Sequence, residues 1–393
     1  MAQQGIAVQP LFTRTFALLS ASHFLHALSF HLFLHLPGFF SSIGAGELDI
    51  GVLAGVASAA AILARPAIGR VMDERGRRPI VWLGGFLGIL ACLAYLTIGE
   101  LGVFVYLVRI VHGLSEAMLF ASLFAFAADI VPASRRIEGI GLFGVSGMLP
   151  MALSGALGDF ILARTSYGAL FATAAGASVI ATLLSIPLRE PPRAEGERPR
   201  GLAAALFDRS LVALWAGGLC FATAIGSYFG FLKTFVLERP VGQLGTFFAA
   251  YSLIAVALRV LFGTVPERVG PKRVLAGALT SLIVGLSVLA IASHPAHLLA
   301  AGLLCGLGHG WAFPILLGLV ISRARATERG AALAIYTALF DAGVLLGGPL
   351  FGAIIEAFSY RTMFLSAAAL VAVGIAILKW GDIAPLRDSP ALV

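Results

Sequence analysis

The chain has 393 residues, of which 59% are hydrophobic and only 12% charged, and its mean hydropathy is +0.96. Soluble domains carry about twice that share of charge, so a soluble protein is excluded and an integral membrane protein is expected. The net charge of +7 does not point to nucleic acid, because the basic residues sit in short loops between apolar runs, where anionic lipid accounts for them.

A helix that crosses a bilayer needs about 20 apolar residues, and about twelve such stretches follow one another along the chain. The first six cover approximately 14–38, 48–72, 79–98, 102–129, 137–163 and 166–188. The second six cover approximately 211–237, 243–265, 272–293, 295–322, 330–356 and 359–380. The polar start, Met1 to Pro10, enters a span too long for the apolar core of a secretory signal, so no cleavable leader is expected. The reading is an all-α membrane protein of twelve transmembrane helices in two pseudo-symmetric six-helix bundles, 1–188 and 211–393. Between them, residues 189–210 are rich in Pro, Glu and Arg and read as a solvated linker, with a short amphipathic helix at 202–207.

One charged loop motif occurs twice. Arg65, Gly69, Asp73 and Gly76 in the first copy align with Arg259, Gly263, Glu267 and Gly270 in the second. Each pair keeps the same offset (259 − 65, 263 − 69, 267 − 73 and 270 − 76 all give 194), close to half the chain. Internal duplication of this kind is the layout of a two-bundle transporter. Lys and Arg fall mostly in one set of loops, including Arg77, Arg78, Arg135, Arg136, Arg268, Lys272 and Arg273. By the positive-inside rule both termini, the linker and both motif copies are cytoplasmic.

Arg109, His112 and Glu116 in the fourth span are spaced i, i+3 and i+7 and share a helical face. Intramembrane charges are expensive and face a cavity or one another. Two readings stand: Glu116 carries a proton tuned by Arg109 and His112, or Arg109 and Glu116 form a structural ion pair. Asp341 in the eleventh span is a second titrating or substrate-binding candidate. The first span carries His23, His26, His31 and His35, spread over about half of the helix circumference. That is too wide for one metal site from this helix, so no metal and no cofactor is expected. Cavity-lining candidates are His23, His26, His31, Tyr228, Lys233, His309, Trp311 and Tyr336; for each the alternative is packing, and for Lys233 snorkelling to the interface. Glycines cluster in the fifth span (Gly139 to Gly158) and the eleventh (Gly343 to Gly352), serving close packing or a hinge. Cys92, Cys220 and Cys305 lie within apolar spans without disulfide or metal spacing.

The run Gly69-x-x-x-Asp73-x-x-Gly76-Arg77-Arg78, with its degenerate second copy at Glu267 and Gly270, resembles the signature loop of the major facilitator superfamily. Glu74 stands where that family usually has a basic residue. Arg109-x-x-His112-Gly113 is similar to an Arg-x-x-Gln-Gly motif of its proton-driven members, with His112 in place of Gln. The Gly-Pro motif of its antiporters is matched better by Gly348-Pro349 in the eleventh span than by Pro150 in the fifth, which weakens an exporter reading. The resemblance implies a cytoplasmic gate formed by Gly69, Asp73, Gly76, Arg77, Arg78, Glu267 and Gly270, with Arg135 and Arg136 nearby. In it Asp73 caps a neighbouring helix, for which the start of the eleventh span at Gly330 is suited.

The function expected is proton-coupled transport of a small organic molecule by alternating access, leaning to efflux of a drug or metabolite by antiport. The alternatives are uptake of an organic anion by proton symport, or a non-transporting receptor on the same fold. Neither Gly-x-Ser-x-Gly, His-Glu-x-x-His nor a Walker-type loop is present, so neither an enzyme nor an ATP-driven pump is expected. The partners expected are the substrate, protons and the bilayer of a bacterial inner membrane, with the protein as a monomer.

Overall fold

The computed structural model describes residues 10–132, 135–190, 206–325 and 329–381, without the side chains of 136–138, 329 and 330. Twelve helices in it are long and apolar enough to cross a membrane. They are α1 Arg14–Ser42, α2 Glu47–Arg75, α3 Arg78–Tyr95, α4 Val103–Ile130, α5 Arg136–Arg164 and α6 Tyr167–Ser185, followed by α7 Arg209–Glu238, α8 Leu244–Leu261, α9 Pro271–Ala290, α10 Pro295–Arg323, α11 Arg329–Ala357 and α12 Tyr360–Gly381. No strand occurs among the described residues. Most of the predicted linker, and with it most of the predicted amphipathic helix at 202–207, lies outside the described residues, as does the side chain of Arg136.

Local chemistry explains the ends and breaks. Thr13 caps α1 by accepting the Phe16 amide (3.1 Å), and Asp208 caps α7 by accepting the Ser210 amide (2.9 Å). Within α1 a 3-10 turn at Phe33–His35 precedes Pro37, whose missing N–H and bulky ring disturb the turn before it. The predicted span 243–265 is two elements: α8 ends at Leu261, and a short helix, Val265–Val269, leads to Gly270. Gly76 and Gly270 both adopt positive φ (92° and 101°), a region that disfavours side chains. The two motif copies therefore share a turn that reverses the chain after a span.

Packing repeats along with the sequence. In the first six helices α1 lies against α5 and α6, α2 against α4, and α3 against α4 and α6. Six helices later α7 lies against α11 and α12, α8 against α10, and α9 against α10 and α12. The sets meet mainly through α2 with α11 and α5 with α8. At the first crossing a Cβ on Gly51 would fall on the backbone of Gly348; at the second a Cβ on Gly245 would stand 2.7 Å from Ala156. Without a hydrophobic driving force inside lipid, such small-residue contacts let helices associate through dispersion. Large apolar side chains such as Leu63, Phe86, Phe104 and Leu183 face outward, as a lipid-facing surface requires.

Candidate functional site

The fourth helix carries a connected polar chain inside an apolar fold. His112 Nε2 lies 3.1 Å from Glu116 Oε1, one helical turn away. The other ring nitrogen, Nδ1, faces two donors, Arg109 Nη1 at 3.3 Å and the Tyr95 hydroxyl at 3.4 Å. Nδ1 therefore accepts, which assigns the ring proton to Nε2 and aims it at the Glu116 carboxylate. Arg109 also donates from Nε to the Leu53 carbonyl on α2 (3.1 Å) and from Nη1 to Tyr95 on α3 (3.5 Å). The predicted trio thus exists, but Arg109 does not pair with Glu116 directly, because His112 stands between them. Tyr95, which sequence spacing did not single out, completes the chain from α3.

Glu116 and His112 line a small pocket with His26, Ser29, Cys92 and Ser178, from α1, α3, α4 and α6. His26 is buried there with neither ring nitrogen hydrogen-bonded among the described residues. Glu116 is within electrostatic reach of Arg109 and, across the two helix sets, of Asp341.

Asp341 on α11 is ion-paired with Arg65 on α2, which donates to it through both Nε and Nη2. Arg65, half-exposed and one turn before the motif glycine, therefore ties the two sets together. Its sequence counterpart Arg259 on α8 makes no hydrogen bond or ion pair among the described residues, and its Nε is buried.

The end of the bundle away from the loop motifs is closed by three carboxylates, none of them singled out beforehand. Asp159 on α5 accepts the Gly245 amide at the start of α8 (2.6 Å) and lies 3.7 Å from Lys233 on α7 and 3.8 Å from His35 on α1. Glu47 at the start of α2 accepts from Thr234 (3.1 Å) and Tyr360 (2.5 Å). Glu356 near the end of α11 accepts the Leu48 amide (2.9 Å). Lys233 is thus buried in this closure, beside Asp159. Carboxylates so far apart in sequence give no local signal of a shared role.

Of the other predicted cavity residues, Tyr228, His309 and Tyr336 belong to one aromatic cluster, joined through Tyr251, Phe313 and Phe340, whereas His23 and His31 lie apart on α1. His23 is buried among α1, α4 and α5, bonded to Ser146 (2.9 Å) and stacked on Phe143. The His31 ring bonds the carbonyl of Ala27 in its own helix (2.7 Å). Tyr336 is fully buried and donates to the Phe313 carbonyl (3.0 Å), and Tyr228 is fully buried against Phe229, Phe247 and Tyr251. His309 is hydrogen-bonded through Nδ1 to Tyr251 and ringed by Phe221, Phe313 and Phe340. Trp311 is half-buried against the core, with no partner for its Nε1 among the described residues. No group of three or more His, Cys, Asp or Glu able to hold a metal occurs among the described residues.

At the motif end, Arg77 pairs with Asp129 at the end of α4 (2.9 Å) and donates to the Met72 carbonyl (2.8 Å). Glu190 accepts the backbone amides of Arg77 (2.7 Å) and Arg78 (3.1 Å), supplying the N-terminus of α3 with a carboxylate. The Arg78 guanidinium reaches the Ile186 carbonyl and lies over Trp82. A Cβ at Gly76 would meet the Glu190 carboxylate at 2.5 Å, so a side chain there would push this cap aside as well as strain the φ. Asp73 and Glu267 are exposed and make no hydrogen bond or ion pair among the described residues. The expected Asp73 cap on α11 is therefore not formed with described groups in this conformation.

Twelve spans, two sets of six with repeated packing, glycine crossings between them and ion pairs within the membrane define a secondary-transporter fold. The profile of the Major Facilitator Superfamily matches residues 18–240 and 214–391, and the chain belongs to that family. It is 28% identical over 357 residues to the MFS-type transporter YhhS of Escherichia coli (strain K12), covering 88% of this chain and 86% of that one. The fold is similar to that of the nucleoside transporter NupG (TM-score 0.75, 14% identity, 95% and 100% of the two chains). It is also similar to the human organic anion transporter MFSD10 (0.69, 17%, 94% and 100%) and to a mutant of the peptide transporter POT in complex with alafosfalin (0.76, 15%, 97% and 96%). The protein is an integral membrane transporter of this family.

Proposed function

We propose that the protein moves a small organic molecule by alternating access and couples that movement to protons carried on Glu116. The observation that supports this most is the chain Arg109–Tyr95–His112–Glu116, which ends on a carboxylate within electrostatic reach of the cross-set pair Arg65–Asp341. A proton on Glu116 removes the charge that His112 Nε2–H addresses, and it also removes the like-charge repulsion between Glu116 and Asp341, the partner of Arg65. That links protonation to the strength of a contact that must break and re-form as the two halves rock. In this reading the motif end is cytoplasmic, the membrane is a bacterial inner membrane, and the conformation is the one closed to the outside by Asp159, Glu47 and Glu356.

Export by antiport and uptake by symport can both use this relay. Reconstituted protein in liposomes loaded with a pH-sensitive dye distinguishes them, using aromatic carboxylates, organic cations and neutral amphiphiles as candidate substrates. A substrate-dependent pH change in wild type that disappears in Glu116→Gln is expected, and its sign gives the direction of coupling. An equal pH change in the variant would remove Glu116 from the proton path.

A further inference from the structure

The two crossings between the helix sets are related by the 194-residue offset, yet they carry charge differently. On α2, Arg65 meets the carboxylate of Asp341. On α8, Arg259 occupies the related position, and applying the same offset to Asp341 (341 − 194) reaches Gly147 on α5. Gly147 brings no side chain; a Cβ there would run into the His23 ring at 2.7 Å. Arg259 lies beside Gly144 of the same helix, where an added Cβ would stand 3.7 Å from Nη1. The second crossing therefore holds a guanidinium, in the last turn of the spanning helix α8, with no counter-ion among the described residues and a buried Nε without an acceptor. Such a charge is costly within a bilayer and marks a ligand or ion path by default.

The surroundings supply what an anion with an apolar body needs. Tyr251 and His309 are both within electrostatic reach of Arg259 and are bonded to each other through His309 Nδ1. That leaves His309 Nε2 with no protein partner among the described residues. Phe221, Phe340 and Phe313 surround the imidazole at ring-centre distances of 5.5, 6.2 and 5.9 Å. Phe313, Phe340 and Arg259 are all only half-buried.

We propose that Arg259 is the anchor of the transported molecule and that this molecule is an organic carboxylate with a flat apolar body. The planar guanidinium matches a carboxylate in geometry, His309 Nε2 supplies a second donor, and Phe313 and Phe340 form the apolar wall. The proposal rests on the transporter reading only in making this ligand the cargo. It also bears on direction. An inside-negative membrane potential already drives an anion outward, so protons are useful to an anion carrier for uptake. Symport is then the coupling that fits, in place of the antiport expected from the sequence.

The test is equilibrium binding to the purified full-length protein by calorimetry, with benzoate, its neutral isostere benzamide and the cation benzylamine as probes. Wild type is expected to bind benzoate at least about tenfold more tightly than benzamide, a difference of one hydrogen-bonded charge pair, and to bind benzylamine least. Arg259→Gln is expected to lose the preference for benzoate while Arg259→Lys keeps part of it. Because Arg259→Gln removes a charge without a counter-ion, its thermal stability without ligand should be unchanged or higher, which separates lost binding from lost folding. Equal affinities for benzoate and benzamide, no binding of benzoate by wild type, or a preference that survives in Arg259→Gln would each overturn the proposal. The assay uses no proton gradient and measures no transport. A failure of the proton relay would therefore leave this result standing.

Discussion

At the α2–α11 crossing two backbones meet at Gly51 and Gly348, and Arg65 is paired with Asp341; at the α5–α8 crossing Gly245 packs against the Ala156 backbone, but Arg259 has no carboxylate partner among the described residues. The close packing is common to both crossings and the charge pairing is not. Duplication supplied the scaffold, since any helix pair that must slide within lipid benefits from small residues at the contact. The difference in charge is where the two halves acquired separate tasks. One crossing holds a pair that can be opened and closed, and the other presents a cation to whatever enters. The same contrast runs along the membrane normal. The end away from the motifs is tied by Asp159, Glu47 and Glu356, while Asp73 and Glu267 at the motif end stand exposed.

The packing half of this comparison is broken most severely by adding side chains at the crossings. Gly245→Val would drive a branched side chain into the Ala156 backbone of α5, and Gly51→Val would do the same to Gly348. Both are expected to abolish transport in liposomes, whereas Gly277→Val on α9, where an added Cβ meets nothing within 4 Å, is expected to leave it intact. Equal activity of all three would show that the crossings are not close-packed during the cycle. The charge half is broken by Asp341→Asn, which makes the first crossing resemble the second by leaving Arg65 unpaired. Removing one partner leaves a charge unpaired at the contact between the two sets, and transport slowed by at least about tenfold is expected. Restoration by the exchanged pair Arg65→Asp with Asp341→Arg would show that the pairing itself matters. The smallest effect is expected at Glu190→Gln, which weakens the charged cap on α3. A loss of about 1 kcal/mol should appear as a slightly lower midpoint of thermal unfolding, with transport retained.

Much of the scaffold was legible because lipid leaves few choices. A span must be apolar for about 20 residues and satisfy its own backbone, so the twelve helices could be counted from hydropathy alone. Gly76 and Gly270 stood out because a positive φ restricts residue type, and that restriction recurs at the 194-residue offset. The trio Arg109, His112 and Glu116 was visible because it lies on one helix with helical spacing. Partners from other helices were not visible. Tyr95, Asp341 for Arg65, Asp159 for Lys233 and Glu190 for the α3 amides all depend on tertiary contacts that leave no local pattern. The first-span histidines were ambiguous for a related reason. A histidine buried against Phe143 or bonded to its own helix has the same sequence context as one facing a cavity, and only packing distinguishes His23 and His31 from His26.

Coupling of transport to a proton on Glu116 is tested most directly by comparing two modes of transport in Glu116→Gln liposomes. Exchange of labelled for unlabelled substrate needs no net proton movement, whereas accumulation driven by a pH gradient does. The expected result is exchange near the wild-type rate with gradient-driven accumulation abolished. Accumulation that persists in the variant and still follows the pH gradient would contradict the assignment of the proton to Glu116.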